Sequence, residues 1–179
     1  MYFDKKFRSQ LKDLFLWRRD VRRFKSRAVD ENVLQEIISQ AMLAPSVGLS
    51  QPWRFIQVDD KDLRQQIIHN YEVENDKASK IYTDEKASLY RSLKLSGLKE
   101  APIHLAIFAE HESDIGSGLG RQTMPETIHY SVVTAIENLW LAARANGIGM
   151  GWVSILDPIK VCKTLKTPDN WHFIGYMCL

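Results

Sequence analysis

Cysteine is scarce in this chain: Cys162 and Cys178 are the only two in 179 residues. Two thiols without metal-type spacing exclude a small disulfide-stapled module and match a reduced, cytoplasmic protein. Excess charge of one sign is also lacking. Twenty-four Lys and Arg stand against 22 Asp and Glu, a net charge of +2, so nothing global calls for nucleic acid or an anionic membrane as partner. No apolar run is long enough to cross a bilayer. Residues 1–8 are charged and hold no apolar signal core, so secretion is not expected. There is no Walker-type phosphate loop and no nucleophile elbow. His69, His104, His111, His129 and His172 show no zinc-type spacing, so no metal site is expected. With no repeat, low-complexity tract or linker, residues 1–179 read as a single domain.

What is present is ordinary globular composition, 45% apolar and 26% charged, enough for a packed core. Phe7, Leu11, Leu14 and Phe15 share a face of a first helix ending near Trp17. Asp30 N-caps a second helix that Pro45 stops, with Val29 and Leu34 placed for a hydrophobic staple. Residues 53–58, 103–109, 148–153 and 173–179 read as strands, the second covered on both faces. The polar stretch 63–97 reads as an excursion over the surface, and 116–120 as a mobile glycine loop. Residues 125–146 form the longest helical pattern, apolar nearly all round and ended by Gly147. Asp157-Pro158 opens a short helix with a cap and a first-turn proline. Helices mixed with strands and few hairpin signals indicate an α+β or α/β architecture.

Three segments carry candidate chemistry. Residues 18–27 hold six cations and one carboxylate, Asp20. That is a solvated charged face, a nucleic-acid patch short of aromatics, or a phosphate site for which planar, multiply donating arginines are suited. Asp20 is an ion-pair partner within the cluster, or a base beside a bound cofactor. The loop 44–55 is an ordinary turn, or it offers Ser46, Ser50 and Gln51 to a buried ligand. The alternating glycines of 147–153 make a bulged strand, or one against which a flat ring can lie. The run 116–121 fails as a dinucleotide fingerprint because Arg121 takes the third glycine's place.

Together, Arg18-Arg19-Asp20-Val21-Arg22, Ala44-Pro45-Ser46 with Gln51-Pro52-Trp53, and the glycine-rich strand resemble the FMN-dependent nitroreductase family from Trp17 to Leu179. Asp20 stands where reductase members usually carry Ser. That departure, with Ser46–Trp53, the segment 121–127 and Gly151-Trp152-Val153-Ser154-Ile155, resembles the branch of the family that makes 5,6-dimethylbenzimidazole.

The resemblance implies an α+β nitroreductase-like fold, a mixed sheet flanked by helices, in an intertwined homodimer with FMN at the interface. It implies that reduced FMN, with O2 as co-substrate, is broken down to 5,6-dimethylbenzimidazole and erythrose 4-phosphate. A separate flavin reductase would supply the reduced flavin. Asp20 would move protons during C–C and C–N cleavage, and Ser154 would hold the ribityl chain or the flavin peroxide in position. Arg18, Arg19, Asp20, Val21, Arg22, Ser46, Ser50, Gln51, Lys94, Leu95, Gly151, Trp152, Val153, Ser154 and Ile155 would contact the flavin. Relatives usually continue past the last strand into an arm on the partner subunit, and that arm is expected to be missing after Leu179. The rivals are an NAD(P)H-dependent nitro- or flavin reductase and a flavin storage or sensor protein. A nucleic-acid module is a distant third. A lid over 71–97 would favour the first reading over the reductase, since it would keep nicotinamide off the flavin.

Overall fold

The computed structural model describes residues 2–80, 97–112 and 115–179. Four strands make one sheet in the order β1-β2-β4-β3: β1 Trp53–Gln57, β2 His104–Glu110, β3 Gly151–Val153 and β4 Trp171–Cys178. All three pairings between these strands are antiparallel. The parallel component of the expected mixed sheet is confined to an isolated bridge between Asp20 and Met150. β2 is buried along six of its seven residues, as an apolar strand covered on both faces must be.

The helices are α1 Lys5–Trp17, α2 Glu31–Ala41, α3 Lys61–Ser79, the single turn α4 Gly97–Glu100, α5 Thr127–Ala145 and α6 Pro158–Leu165. Their starts follow local chemistry. The carboxylates of Asp4, Asp30, Asp60 and Asp157 each accept from first-turn N–H groups, satisfying donors that a helix cannot satisfy itself. α5 stops at Asn146, with Gly147 at φ 72°.

One core lies between α5, α2 and one face of the sheet, built on Leu34, Ile37, Leu105, Ile107, Val132, Ile136 and Leu139. A second, on the other face, joins Ile67, Ile68, Tyr71, Phe108, Val161 and Tyr176. α3 is therefore not the surface excursion its polarity suggests. Three apolar side chains are enough to seat it against α6, and the first ten residues of the expected lid, 71–80, belong to this packed helix or its cap. The remainder of that lid through residue 96, including Lys94 and Leu95, lies outside the described residues. α1 also differs from expectation. None of its residues is buried, Leu11 and Leu14 are half-buried, and Phe7, Phe15, Leu16 and Trp17 are exposed.

Candidate functional site

The arginine segment is an extended strap along the free edge of β3. Val21 N–H donates to Met150 O at 3.0 Å, and Trp152 N–H donates to Asp20 Oδ1 at 3.0 Å. The second oxygen of Asp20 lies 3.6 Å from Arg22 Nε. A main-chain donor and a guanidinium thus fix the carboxylate from two sides, beside the glycine strand. The glycines make this approach possible: a Cβ on Gly151 would sit 2.1 Å from Val21 O, where no side chain fits. Upstream, Trp140 of α5 donates its indole N–H to Arg19 O at 3.2 Å, and the Arg18 guanidinium stacks over the Trp140 ring at 4.9 Å. Arg19 turns its side chain back onto the carbonyls of Leu16 and Arg18.

Ser154 is exposed just after β3, at the start of a turn held by a residue that sequence reasoning missed. Asn70, buried in α3, donates to Asp157 O at 3.1 Å and accepts from Asp157 N–H at 3.0 Å. This two-way amide clamp fixes residues 154–157 between β3 and α6. A buried Asn on a helix as rich in charge as α3 is a signal that only the fold makes visible.

The loop 46–51 is bound to the N-terminal half of α5. Val47 N–H donates to Ser131 Oγ at 3.0 Å, and Thr134 Oγ1 donates to Pro45 O at 3.0 Å. Ser46 Oγ accepts from Gln51 N–H at 3.0 Å. Leu49 and Gln51 have φ of 55° and 44°, left-handed values that cost a non-glycine residue roughly 1–2 kcal/mol. Ser50 is 2% exposed, yet its hydroxyl has no hydrogen-bond partner. The glycine run expected to be mobile is packed here: Gly116 lies so close to Gly48 that a Cβ would meet its carbonyl oxygen at 2.3 Å.

These two groups of residues do not converge within one chain. Trp53, just after the loop, pairs with Ala109 at one end of β2, whereas Gly151 pairs with Cys178, opposite His104 at the other end. Five residues along β2 and three strand spacings across the sheet separate them by roughly 20 Å. The strap with β3 and the loop are thus two separate candidate half-sites.

The five histidines part company in the fold. His104 is buried, with Nδ1 3.0 Å from Tyr176 Oη. Burial, then the Arg64 charge, lowers its pKa to about 4. The same burial raises Tyr176 and pushes the Cys178 thiol up to about 12, which makes this thiol inert. His111, His129 and His172 come together at the opposite end of the sheet, a cluster that their spacing in the sequence, which is not of zinc type, did not announce. Burial, then the neighbouring rings, lowers His111 to about 4, and His129 is lowered by burial and by His172.

The chain is 50% identical over 177 residues to a 5,6-dimethylbenzimidazole synthase of Rhodospirillum rubrum, covering 99% of this chain and 84% of that one. It is 41% identical to a 5,6-dimethylbenzimidazole synthase of Rhodobacter capsulatus, covering all of this chain and 86% of that one. Among solved structures it resembles an oxidised iodotyrosine deiodinase bound to FMN and 3-iodo-L-tyrosine. The TM-score is 0.77 at 28% identity, over 94% of this chain and 87% of that chain. With residues 15–179 matching the family as a whole, the chain belongs to the nitroreductase family.

Proposed function

We propose that this chain is a 5,6-dimethylbenzimidazole synthase, an oxidoreductase that fragments reduced FMN with O2. The observation that carries the reading is Asp20: a carboxylate, where reductases usually have a hydroxyl, held at the glycine strand by Trp152 N–H and Arg22. It agrees with the 50% identity to the Rhodospirillum rubrum synthase along nearly the whole chain.

The residues fit a flavin mononucleotide. The buried Ser50 hydroxyl lacks a partner in the folded chain, and a ligand acceptor or donor would satisfy it. Arg18, Arg19 and Arg22 supply a clamp for one terminal phosphate and the ring edge. Val21 and Gly151–Val153 present main chain on which a flat ring can rest, with Trp152 and Ile155 beside it. When bound, reduced FMN supplies the electrons that O2 takes and the carbon skeleton of the product. The chain's own residues do the rest. Asp20 accepts and returns protons as bonds in the ribityl chain and ring break. Its fixed position makes it effective, since the carboxylate need not be ordered at the moment of transfer. Ser154, at the start of the turn clamped by Asn70, donates a hydrogen bond that holds the ribityl chain. Ser46 and Gln51 act from the loop.

Because Trp53 beside the loop and Gly151 beside the strap stand roughly 20 Å apart in one chain, the complete site takes the strap and β3 of one subunit and the loop of its partner. The working form is therefore a homodimer. The surface suits it: Leu49, Leu119, Met124, Tyr130 and Val133 are all exposed around the loop and the outer face of α5, an apolar patch of the kind that marks an interface. No helix among the described residues is long and apolar enough to cross a membrane. Reduced FMN comes from a separate flavin reductase in the cytoplasm. The test is to mix the protein with reduced FMN in air and analyse products by mass spectrometry. Dimethylbenzimidazole supports the reading. Turnover of NADPH with nitroaromatics and no dimethylbenzimidazole overturns it.

A further inference from the structure

The histidine cluster belongs to neither half-site's machinery. His111 follows β2, His172 is the second residue of β4, and His129 lies in the first turn of α5. The β2–β4 register sets Ala109 against His172, and His111 N–H donates to Asn170 O at 2.9 Å. Two of the histidines are thereby held on adjacent backbones, and α5 brings the third. Nε2 of His111 and Nε2 of His129 are 2.7 Å apart. The His111 and His172 rings stack at 3.8 Å between centroids, 28° from parallel. One nitrogen from each ring lies within 4.8 Å of the others, and among the described residues no carboxylate or thiol joins the group.

We propose that His111, His129 and His172 form a three-histidine site for a divalent late transition metal, with Zn2+ the natural occupant. The donor set decides the class. Three imidazole nitrogens without oxygen ligands suit Zn2+, Ni2+ or Cu2+ and do not suit Mg2+ or Ca2+. The geometry decides the feasibility. Metal–nitrogen bonds of about 2.0–2.1 Å at tetrahedral angles hold ligand nitrogens roughly 3.3 Å apart. The close pair opens from 2.7 Å by roughly 0.6 Å and the third ring swings in. His172 is exposed and the other two are half-buried, so side-chain rotation suffices and a fourth position stays open to water. A bound ion would tie the end of β2, the start of β4 and the first turn of α5 together. This is the end of the sheet that carries the loop 46–51, since Glu110 N–H donates to Pro52 O at 2.8 Å.

The test uses the full chain after dialysis against a chelator. Calorimetric titration with ZnCl2 should show one ion per chain, and Co2+ should give the visible absorption of a nitrogen-ligated site. His129→Gln and His172→Gln should each weaken Zn2+ by roughly tenfold or more, and abolish the Co2+ spectrum and the rise in Tm that Zn2+ gives the parent. His69→Gln, on the exposed side of α3, should change none of these. Circular dichroism of the metal-free variants matching the parent separates lost ligation from lost fold. His172 is exposed, so its replacement keeps the test open even if His129→Gln fails to fold. Absence of Zn2+ binding in the parent overturns the proposal, as does binding that persists unchanged in folded His172→Gln.

Discussion

Gly151→Ala probes the contact on which the position of Asp20 depends. The added Cβ would stand 2.1 Å from Val21 O, about 1 Å inside the closest approach that packed carbon and oxygen tolerate. Neither partner is a free side chain, because both are main chain. The strap must lift, losing Val21 N–H to Met150 O and Trp152 N–H to Asp20 Oδ1, each 3.0 Å in the parent. One neutral and one charge-assisted bond, both partly solvated, contribute about 2–4 kcal/mol together. For a chain of this size that is a fall in Tm of roughly 5–15 °C. Two neighbours act as controls. A Cβ on Gly149 meets only the Val21 side chain, at 2.8 Å, and one on Gly147 meets nothing but sits at φ 72°. Each should cost about 1 kcal/mol. Urea unfolding of the three variants gives the comparison, and product assays show whether dimethylbenzimidazole formation falls with Gly151→Ala alone. Equal stability of Gly151→Ala and Gly149→Ala, with activity intact, would refute the idea that the strap is seated by this glycine.

Three further predictions follow from the same geometry. His104 and His111 have folded pKa values near 4, below the free value near 6.5. The unfolded chain therefore takes up protons first, and their contribution is complete above about pH 6.5 and is lost as pH falls toward 4. Urea midpoints should decline across that window, and His104→Gln should flatten the slope. Asp157→Ala removes the acceptor for Ile159 N–H and Lys160 N–H at 3.0 and 3.2 Å and should cost about 1 kcal/mol by chemical denaturation. Co-expressed Asp20→Asn and Ser50→Ala–Gln51→Ala chains should regain about a quarter of parental activity, because half the dimers are mixed and each has one intact site. No regain would mean that each chain builds its own site.

Much of this arrangement is legible in the sequence where the determining interactions are local. The caps at Asp30 and Asp157, the glycine stop after α5 and the apolar β2 all rest on residues within a turn or strand of one another. The contents of the strap, the loop and the glycine strand are legible in the same way. Their distribution is not. That the strap pairs with β3 while the loop sits at the far end of the sheet depends on a strand order, β1-β2-β4-β3, which no local pattern records. α3 misleads because Ile67, Ile68 and Tyr71 are few among its charges, and their importance comes from Val161 and Tyr176, more than 80 residues away in sequence. The histidine triad and the Asn70 clamp are hidden for the same reason: each joins segments far apart in the chain.

The central claim is that Asp20 turns reaction of reduced FMN with O2 into fragmentation. Asp20→Asn tests it most directly, since the amide oxygen can still accept from Trp152 N–H, while the proton-accepting carboxylate and its pairing with Arg22 are lost. The measurement is the molar ratio of dimethylbenzimidazole to oxidised FMN after one turnover of reduced FMN in air, alongside FMN affinity. FMN affinity should stay within a few-fold of the parent, because the arginines remain. The ratio should fall by roughly a hundredfold to ten-thousandfold, with oxidised FMN and hydrogen peroxide released instead. A parental ratio in Asp20→Asn would contradict it.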